Sequence, residues 1–402
     1  MNLRICWLVI LMTSKPQFGG EKVKLGDVVK ASSERNKDGR CSAVYSVTNS
    51  QGFIPSKDYF SKEVFSKELK SYRIVKRSMI AYNPSRINVG SVALQDKADE
   101  VVVSPLYVVF SVDEERVYPD YVVRFLKSKP GLKQIAFQSI GTVRNNLKFK
   151  AMEQMELILP SIDEQQNRLN KLNLVQLHID KCKMIAEKLD QLVKSRFVEM
   201  FGDPCLTDRS LLPKKPLHSF CELKIGPFGS LLHKEDYVSG GFPVVNPSHI
   251  VDGRIRTDSD LTINAAKYRE MESYQLFKGD VVLGRRGEIG RCAVVDEEGL
   301  LCGTGSMILR PEPSLCRSDY LQRVISFPSF AAALEKEAVG VTMKNLNVKI
   351  IGSAVVSLPP LSLQEEFADF VAQVDKSGFA VRQQIEKLQL LYDSLAQEYF
   401  GD

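Results

Sequence analysis

The sequence predicts a mixed α/β fold in which two globular bodies alternate with two long helices, and the helices pair as an antiparallel coiled coil. The first indication is that the second half of the chain repeats the first half. The second is a heptad pattern that closes each repeat, and the third is a series of strand-like runs between turn residues. A length of 402 residues suits two domains of ordinary size.

The internal repeat is a match of 83 residues in one register. With the sequence shifted by 199 residues, 121–203 aligns with 320–402 without a gap, down to the Phe-Gly-Asp that ends both segments. Upstream the match weakens and includes a small length change, as between 72–94 and 274–295. Chance similarity does not extend this far, so the chain is an internal duplication.

The duplication predicts an alternation of bodies and helical spacers. In chain order, the predicted segments are an N-terminal extension at 1–20, a first body at 21–161, a first helical spacer at 162–203, a second body at 204–360 and a second helical spacer at 361–402. Within the bodies, strands are expected at 78–82, 101–110, 280–284, 291–295 and 305–310, and helices at 121–138 and 320–337.

Both spacers carry the same heptad register. Its two core positions in the first spacer are occupied by Leu172, Val175, Ile179, Cys182, Ala186, Leu189, Val193, Arg196 and Met200. In the second spacer they are occupied by Val371, Val374, Gly378, Val381, Ile385, Leu388, Tyr392, Leu395 and Tyr399. Such a stripe on a helix of about 37 residues, roughly 55 Å long, needs a partner helix rather than a globular core.

Because a whole body separates the two spacers in sequence, we expect their helices to pair antiparallel. The alternative is that they are plain linkers between domains. Asp163 and Ser362 are the expected N-caps, and the glycine of each Phe-Gly-Asp is the expected stop.

Positive charge is concentrated in the first body. Residues 1–161 carry 25 basic and 16 acidic side chains, whereas 204–360 carry 19 and 18. The first spacer has seven of each, and the second has three basic and eight acidic side chains. A basic body suits a polyanion such as DNA, while an acidic helix suits solvent or a protein partner. In the nearly neutral second body, DNA-binding residues would have to be clustered.

Neither the cysteines nor the N-terminus indicates a metal site or a membrane protein. The eight cysteines include no C-x-x-C pair and only four histidines are present, which favours reduced thiols, as in the cytoplasm. The apolar run at 5–12 is too short to span a bilayer. It is an extension, or the product of an upstream start with Met12 as the alternative initiator. A signal-peptide core is the third option, although no cleavage motif follows.

The sequence contains no recognised catalytic motif. It lacks a phosphate-binding G-x-x-x-x-G-K-[ST] loop, a G-x-S-x-G elbow and the Asn-Pro-Pro-aromatic tetrapeptide of adenine methyltransferases. His218, His233 and His249 are spread through a loop-rich region and are expected to pack or lie at the surface. The sequence motifs therefore give no indication of catalysis or of a directly bound cofactor or metal.

Two kinds of polar cluster are candidate DNA contacts, one in a turn after a strand and one after a glycine in each repeat. Arg and Lys can bind phosphate or guanine, and Asn can pair with adenine through two hydrogen bonds. The candidates are Asn83, Ser85, Arg86, Asn88, Arg144, Asn145 and Lys148 in the first body, and Arg285, Arg286, Thr342, Lys344 and Asn345 in the second. The alternative for each cluster is helix capping and a solvated loop.

Several of these features together resemble the specificity subunit of Type I restriction–modification systems. They are the two bodies with similar helical segments, the proline-containing helix entries at 160–165 and 359–364, and the strings KLDQLVKSRFVEMFGD (188–203) and KGDVVLGRRGEIGRCAVV (278–295). The resemblance covers nearly the whole chain after residue 20. Each motif alone is weak, and the ordered set is specific.

The resemblance implies that each body is a target recognition domain that reads one half of a split double-stranded DNA site, while the coiled coil fixes the gap. It implies two modification subunits that use S-adenosylmethionine to methylate adenine, and it allows restriction subunits that use ATP and Mg to cut DNA. The chain itself would be non-catalytic and not bound to a membrane. Base-contacting residues vary with the target in this family, so none is assigned by resemblance.

Two other classes of protein were weighed against this interpretation. One is a two-domain scaffold that does not bind DNA, and salt-dependent DNA affinity would distinguish it. The other is the specificity part of a fused restriction–methylation enzyme, which requires catalytic motifs that this sequence lacks.

Overall fold

The computed structural model describes residues 19–59, 69–139, 146–205, 212–229, 231–340 and 344–401. The predicted extension at 1–20 lies outside these residues except for its last two glycines. In the described part of the chain, no helix is both long and apolar enough to cross a membrane.

Helices of two very different lengths make up the α part of the fold. In chain order, the helices are α1 (Ser56–Tyr59), α2 (Pro119–Lys127), α3 (Lys129–Gln138), α4 (Phe149–Met152), α5 (Ile162–Phe201), α6 (Ala265–Glu270), α7 (Ser318–Ser326), α8 (Pro328–Glu337), α9 (Val348–Ser353) and α10 (Leu361–Phe400). The two long helices, α5 and α10, have 40 residues each and close the two repeats as predicted. The others have 4 to 10 residues and belong to the bodies.

The chain forms two compact units, and each long helix contributes one half to each unit. The first unit consists of residues up to Met184 together with Val381–Asp402, and the second is Ile185–Ala380. Each unit therefore contains one body, the beginning of one long helix and the end of the other.

Antiparallel strand pairs organise the first unit. Its strands are β1 (Glu21–Lys24), β2 (Val29–Ser32), β3 (Tyr45–Thr48), β4 (Gly52–Pro55), β5 (Arg73–Lys76), β6 (Ile80–Tyr82), β7 (Val92–Leu94), β8 (Glu100–Val103), β9 (Val108–Val112) and β10 (Glu156–Leu159). Its largest sheet has the order β2-β9-β6-β7, and two-stranded ladders join β1 to β10, β3 to β4 and β5 to β8. Tyr82, Phe110, Tyr121 and Phe125 form its core together with Phe400 from the end of α10.

The second unit repeats this sheet and adds another one. Its strands are β11 (Lys214–Pro216), β12 (Cys221–Ile225), β13 (Tyr237–Val238), β14 (Phe242–Val245), β15 (Ile250–Val251), β16 (Arg254–Ile255), β17 (Thr262–Ile263), β18 (Gln275–Leu276), β19 (Val281–Gly284), β20 (Cys292–Val294), β21 (Leu300–Cys302), β22 (Ser306–Pro311) and β23 (Val355–Ser357). The antiparallel sheet β12-β22-β19-β20 and the ladder β11-β23 reproduce the first unit. A mixed sheet, β13-β17-β14-β21-β18, contains an antiparallel ladder β18–β21 like β5–β8 of the first unit and adds β13, β14 and β17, so the repeats diverge chiefly between β12 and β18.

Two local predictions were wrong in detail. The strand expected at 101–110 is two strands, β8 and β9, because a hydrogen-bonded turn interrupts the apolar run. The predicted caps Asp163 and Ser362 lie inside the first turns of α5 and α10. Ser161 precedes α5, and its hydroxyl oxygen accepts a hydrogen bond from the backbone N–H of Glu164 at 3.4 Å.

The helices predicted at 121–138 and 320–337 are each split in two. Pro130 and Pro328 lie in the first turns of α3 and α8, where a missing N–H does no harm, and they prevent continuation of the preceding helix. At the first break, a Cβ on Gly131 would lie 2.0 Å from a carbonyl oxygen of α2. Only glycine permits this close approach of the two helices.

A fully buried glutamine in the first turn fixes each long helix to its body. The Oε1 atom of Gln165 accepts from the N–H of Tyr118 at 3.0 Å. Its Nε2 donates to the carbonyl oxygens of Arg116 and Pro160, both at 2.9 Å. Gln364 makes the same three bonds to the residues 199 positions further along the chain. The duplication therefore extends to individual hydrogen bonds.

In the first unit, α5 and α10 pack along the predicted seam. Arg168 donates to the carbonyl oxygen of Tyr399 at 3.2 Å, and Ile179, further along α5, packs in one cluster with Leu388. Residues later in α5 thus meet residues earlier in α10, and the packing is antiparallel. Of the α5 seam positions in this unit, Leu172, Val175 and Ile179 are buried.

In the second unit, the end of α5 packs against the beginning of α10, again antiparallel. The rings of Phe201 and Phe367 are 5.4 Å apart, whereas the guanidinium of Arg196, earlier in α5, lies over the ring of Phe370, later in α10, at 5.9 Å. Arg196, the charged seam residue, forms an ion pair with Glu366 of α10 at 2.9 Å. The predicted helix pairing is therefore confirmed within each unit.

The seven cysteines of the described residues are all free thiols. Burial raises the pKa of Cys221, Cys292 and Cys316 to about 12, and it raises that of Cys302 as well. These thiols remain protonated at neutral pH.

Alkylation at pH 8 should therefore distinguish the buried thiols from the half-buried ones. The thiolate is the reactive species, so we expect Cys182 and Cys205 to be modified in the native protein, and Cys221, Cys292 and Cys316 to be protected. Mass-spectrometric mapping after iodoacetamide treatment measures this, with urea-unfolded protein as the control. Rapid native modification of Cys292 would show that this thiol is accessible to solvent.

Candidate nucleic-acid interface

A tight turn after β6 carries the first group of predicted site residues. The side-chain oxygen of Asn83 accepts from the N–H of Ser85 at 3.1 Å, and the carbonyl oxygen of Asn83 accepts from the N–H of Arg86 at 3.0 Å. A short 3-10 helix (Ile87–Val89) follows and ends at Gly90 with φ of +87°. Ser85, Arg86 and Asn88 are consequently exposed, and Asn83 is half-buried.

The fold brings this turn against the segment that precedes α4. The N–H of Leu147 donates to the carbonyl oxygen of Pro84 at 3.1 Å, and the buried Tyr82 hydroxyl donates to the carbonyl oxygen of Leu147 at 3.1 Å. The Ser85 hydroxyl donates to Oδ1 of Asn146 at 2.5 Å. We call 83–88 together with 146–148 the first composite turn.

Two basic side chains of the first composite turn face solvent. Arg86 and Lys148 are exposed, and neither forms an ion pair with another described residue. Uncompensated cations beside exposed Ser85 and Asn88 make a surface that can hold a phosphate and offer hydrogen bonds to a base edge.

The second unit contains an equivalent arrangement after β19. The N–H of Leu346 donates to the carbonyl oxygen of Arg285 at 3.0 Å. Arg286 is exposed with no ion pair to a described residue, whereas Lys344 pairs with Glu335 at 2.8 Å. We call 285–288 together with 344–347 the second composite turn.

Arg285 has a different environment from the other candidate residues. It is 7% exposed, and its Nε donates to the carbonyl oxygen of Leu346 at 3.2 Å. One terminal nitrogen donates to Oδ1 of Asn345 at 3.1 Å. Burial and the charge of Arg286 lower the pKa of the Arg285 guanidinium from its usual value. Its hydrogen bonds are therefore directed into its own unit.

Of the predicted site residues, Arg144, Asn145 and Thr342 lie outside the described part of the chain.

The histidines are dispersed, as expected: a ring nitrogen of His218 lies 2.8 Å from a carbonyl oxygen, and His249 is buried with a similar contact at 2.9 Å. The described residues contain no group of three or more His, Cys, Asp or Glu able to hold a metal ion.

The sequence did not indicate that Tyr82 helps to form the site. A tyrosine at the end of an apolar strand is typical of a core residue, and its ring is indeed fully buried. Only the folded chain places its hydroxyl beside the carbonyl oxygen of Leu147. The repeat offset was the available signal, because it matches Asn146–Leu147 with Asn345–Leu346.

We expect the Arg86→Ala and Lys148→Ala substitutions to weaken DNA binding by a similar factor for every DNA sequence. Each lost phosphate contact should reduce the slope of log K against log salt by about one. Fluorescence anisotropy across a salt series measures this slope. Lys37→Ala, which removes an exposed lysine outside the composite turn, is the control and should leave the slope unchanged. If Arg86→Ala and Lys148→Ala had the same slope as the Lys37→Ala control, the first composite turn would not contact phosphate.

The two units, each a sheet with a composite turn joined to paired helix segments, define a class of duplicated α/β proteins with a shared helix pair. The family described as Type I restriction modification DNA specificity domain matches residues 19–192 and 214–389. The chain belongs to this family.

Two curated relatives are specificity subunits of Escherichia coli enzymes. The chain is 25% identical over 296 residues to the specificity subunit of the Type I restriction enzyme EcoKI of strain K12, covering 68% of this chain and 61% of that subunit. It is 22% identical over 288 residues to the EcoBI specificity subunit, covering 65% and 60% of the two chains. The matches thus span less than two thirds of the length of these relatives.

Solved structures show the same fold over nearly the whole chain. A chain from a study of complex assembly and conformational transition of the type I R-M system has a TM-score of 0.59 and 16% identity, covering 96% of this chain and 99% of that one. The S subunit of a Type I restriction–modification system from M. genitalium has a TM-score of 0.53 and 14% identity, covering 97% and 98%.

Proposed function

We propose that this chain is the DNA-sequence-specificity subunit of a Type I restriction–modification complex. Each unit would read one half of a bipartite duplex target, and the paired helices would fix the gap between the halves. The observation that carries the proposal is the composite turn, which recurs at equivalent positions of both units within a chain of this family. Two readers on one chain gain specificity when both half-sites lie at the required separation.

The exposed face of the long helices supports a second part of the proposal, the docking of two modification subunits. In the first unit, α5 exposes Leu174, Leu177 and Met184 away from the seam. In the second unit, α5 exposes Ile185, Leu192 and Val198. Apolar side chains in solvent along one helix are characteristic of a protein-binding surface, and the partners in this family are modification subunits.

Within such a complex, catalysis would belong to the partners. The modification subunits would use S-adenosylmethionine, and restriction subunits, where present, would use ATP and Mg. This chain would contribute binding and spacing alone, since the composite turns contain no nucleophile–base pair. A scaffold without DNA affinity is less well supported because it leaves without a role the exposed Arg86, Lys148 and Arg286, which form no ion pair with a described residue.

Methylation mapping tests the proposal directly. The chain is expressed with its neighbouring modification genes in a host that lacks adenine methylation, and the methylated sites are sequenced. We expect one split motif, two short defined halves around an undefined gap of constant length. Cells with the modification genes but without this chain are the control and should show no such motif. An uninterrupted motif, or the same motif in both hosts, would refute the proposal.

A further inference from the structure

We propose that Arg285 is a positioning residue that holds the segment 344–347 in place, and that Tyr82 and Ser85 share the same task in the first unit. The inference rests on the proposed function and deepens it, because it separates the residues that build each composite turn from those that touch DNA. It also assigns to Arg285 the orientation of the Asn345 amide, whose oxygen it contacts.

Two acceptor atoms are satisfied in both composite turns. One is the carbonyl oxygen of the leucine, Leu147 or Leu346, and the other is the side-chain oxygen of the asparagine before it, Asn146 or Asn345. In the first turn, the N–H of Leu147 also donates to the carbonyl oxygen of Pro84, two positions after β6. In the second turn, the N–H of Leu346 donates to the carbonyl oxygen of Arg285, one position after β19. The backbone of the two turns is therefore held at the same three points.

The donors at these points differ between the units. In the first unit, two hydroxyls on Tyr82 and Ser85 each satisfy one acceptor. In the second unit, the single guanidinium of Arg285 satisfies both, because its Nε and terminal nitrogen form a rigid fork. Different donors thus satisfy equivalent acceptors in the two units. This indicates that the position of the segment that carries the acceptors matters, rather than the identity of the donor.

Burial argues against direct contact between Arg285 and DNA. The Arg285 side chain is 7% exposed, and two of its nitrogen atoms donate hydrogen bonds within the unit. Its neighbour Arg286 is exposed and forms no ion pair with a described residue, so it is the cation available to a phosphate. The sequence motif Arg-Arg thus contains one positioning residue and one contact residue.

Arg285 also orients the amide of Asn345. A guanidinium can only donate, so the Asn345 atom that it contacts must be the amide oxygen. This bond uses one lone pair of the oxygen and leaves the second lone pair able to accept, while the amide nitrogen can donate to an acceptor on a base edge, such as purine N7, guanine O6 or thymine O4. The two-bond pairing with adenine expected from the sequence would use the second lone pair of this oxygen together with the amide nitrogen.

The variants Arg285→Lys and Arg286→Ala separate positioning from contact. Arg285→Lys keeps the charge but cannot supply two forked bonds. We expect hydrogen exchange of the Leu346 amide to accelerate at least tenfold in the full chain, and the affinity for target DNA to fall about tenfold with an unchanged salt slope. We expect Arg286→Ala to leave that exchange rate unchanged and to lower the slope by about one. Thermal unfolding confirms that both variants are folded.

Asn345→Asp tests the donor role, because it keeps an acceptor for Arg285 and removes the amide N–H group. Specific binding should be lost while the Leu346 amide remains protected.

Ser85→Ala in the first unit provides an independent test if Arg285→Lys does not fold, since Ser85 is exposed and its loss should accelerate exchange only at 146–148.

Two results would overturn the inference. One is unchanged exchange at 344–347 in folded Arg285→Lys together with unchanged exchange at 146–148 in Ser85→Ala. The other is a salt slope lowered by about one in Arg285→Lys, which would mean that Arg285 contacts a phosphate. Failure of the wild-type complex to prefer any DNA sequence would instead refute the proposed function, while the exchange data would still decide whether Arg285 positions its segment.

Discussion

Replacing Gln165 with leucine should destabilise the first unit by about 3 kcal/mol, because three backbone groups lose the hydrogen bonds that the fully buried glutamine makes to them. Leucine fills a similar volume, so the loss comes from an unpaired N–H at Tyr118 and two unpaired carbonyl oxygens rather than from a cavity. Urea denaturation followed by circular dichroism measures the change in unfolding free energy. Gln364→Leu should destabilise the second unit to a similar extent.

Gln166→Leu is the matched control for this substitution. Gln166 is the next residue of α5, it is exposed, and its amide bonds only to the side chain of Asn170. Its replacement should change stability by less than about 0.5 kcal/mol. If Gln165→Leu had as small an effect as Gln166→Leu, the buried glutamine would not be what fixes the helix to its body.

Deleting one heptad from each long helix should shorten the gap in the DNA target while leaving both units folded. Removal of 182–188 and 378–384 takes seven residues from each helix and preserves the heptad register of the remainder. At 1.5 Å per residue the pair becomes about 10 Å shorter, which corresponds to about three base pairs of duplex. Methylation mapping of the variant complex measures the new gap.

Deleting 182–188 alone is the control for this experiment. It leaves two helices of unequal length, so their seam positions no longer match, and we expect loss of methylation rather than a shorter gap. An unchanged gap in the double deletion would contradict the role of the helices in spacing the two half-sites.

The predictions from sequence were most accurate where a repeating pattern was involved. The heptad positions were right at Leu172 and Ile179, which are buried because one stripe every 3.5 residues packs against another helix. Near the end of α5 the buried residues are Phe197 and Phe201, each one position after the predicted seam residue. The single helix expected at 121–138 was wrong because amphipathic periodicity continues across the break at Pro130, which only the local backbone resolves.

The sequence indicated which segments carry the candidate DNA-binding residues. It could not separate residues that would contact DNA from residues that hold a turn in place. Both arginines of Arg285-Arg286 have the same charge and the same sequence context. In the folded chain one guanidinium is buried against Asn345 and the other is exposed. Sequence composition cannot distinguish the two arginines, because their difference in burial depends on the side of the turn from which each side chain projects.

The sequence alone was enough to establish the duplication, the two long helices, their register and the family resemblance, since all of these are encoded in spacings along the chain. The tertiary structure decided which residues meet: it joined the strand-end turn to a segment some 60 residues away and made Tyr82, Ser85 and Arg285 hold it there. Hydrogen bonds between distant segments depend on how the sheet and the helices pack, and local sequence patterns contain no record of that packing.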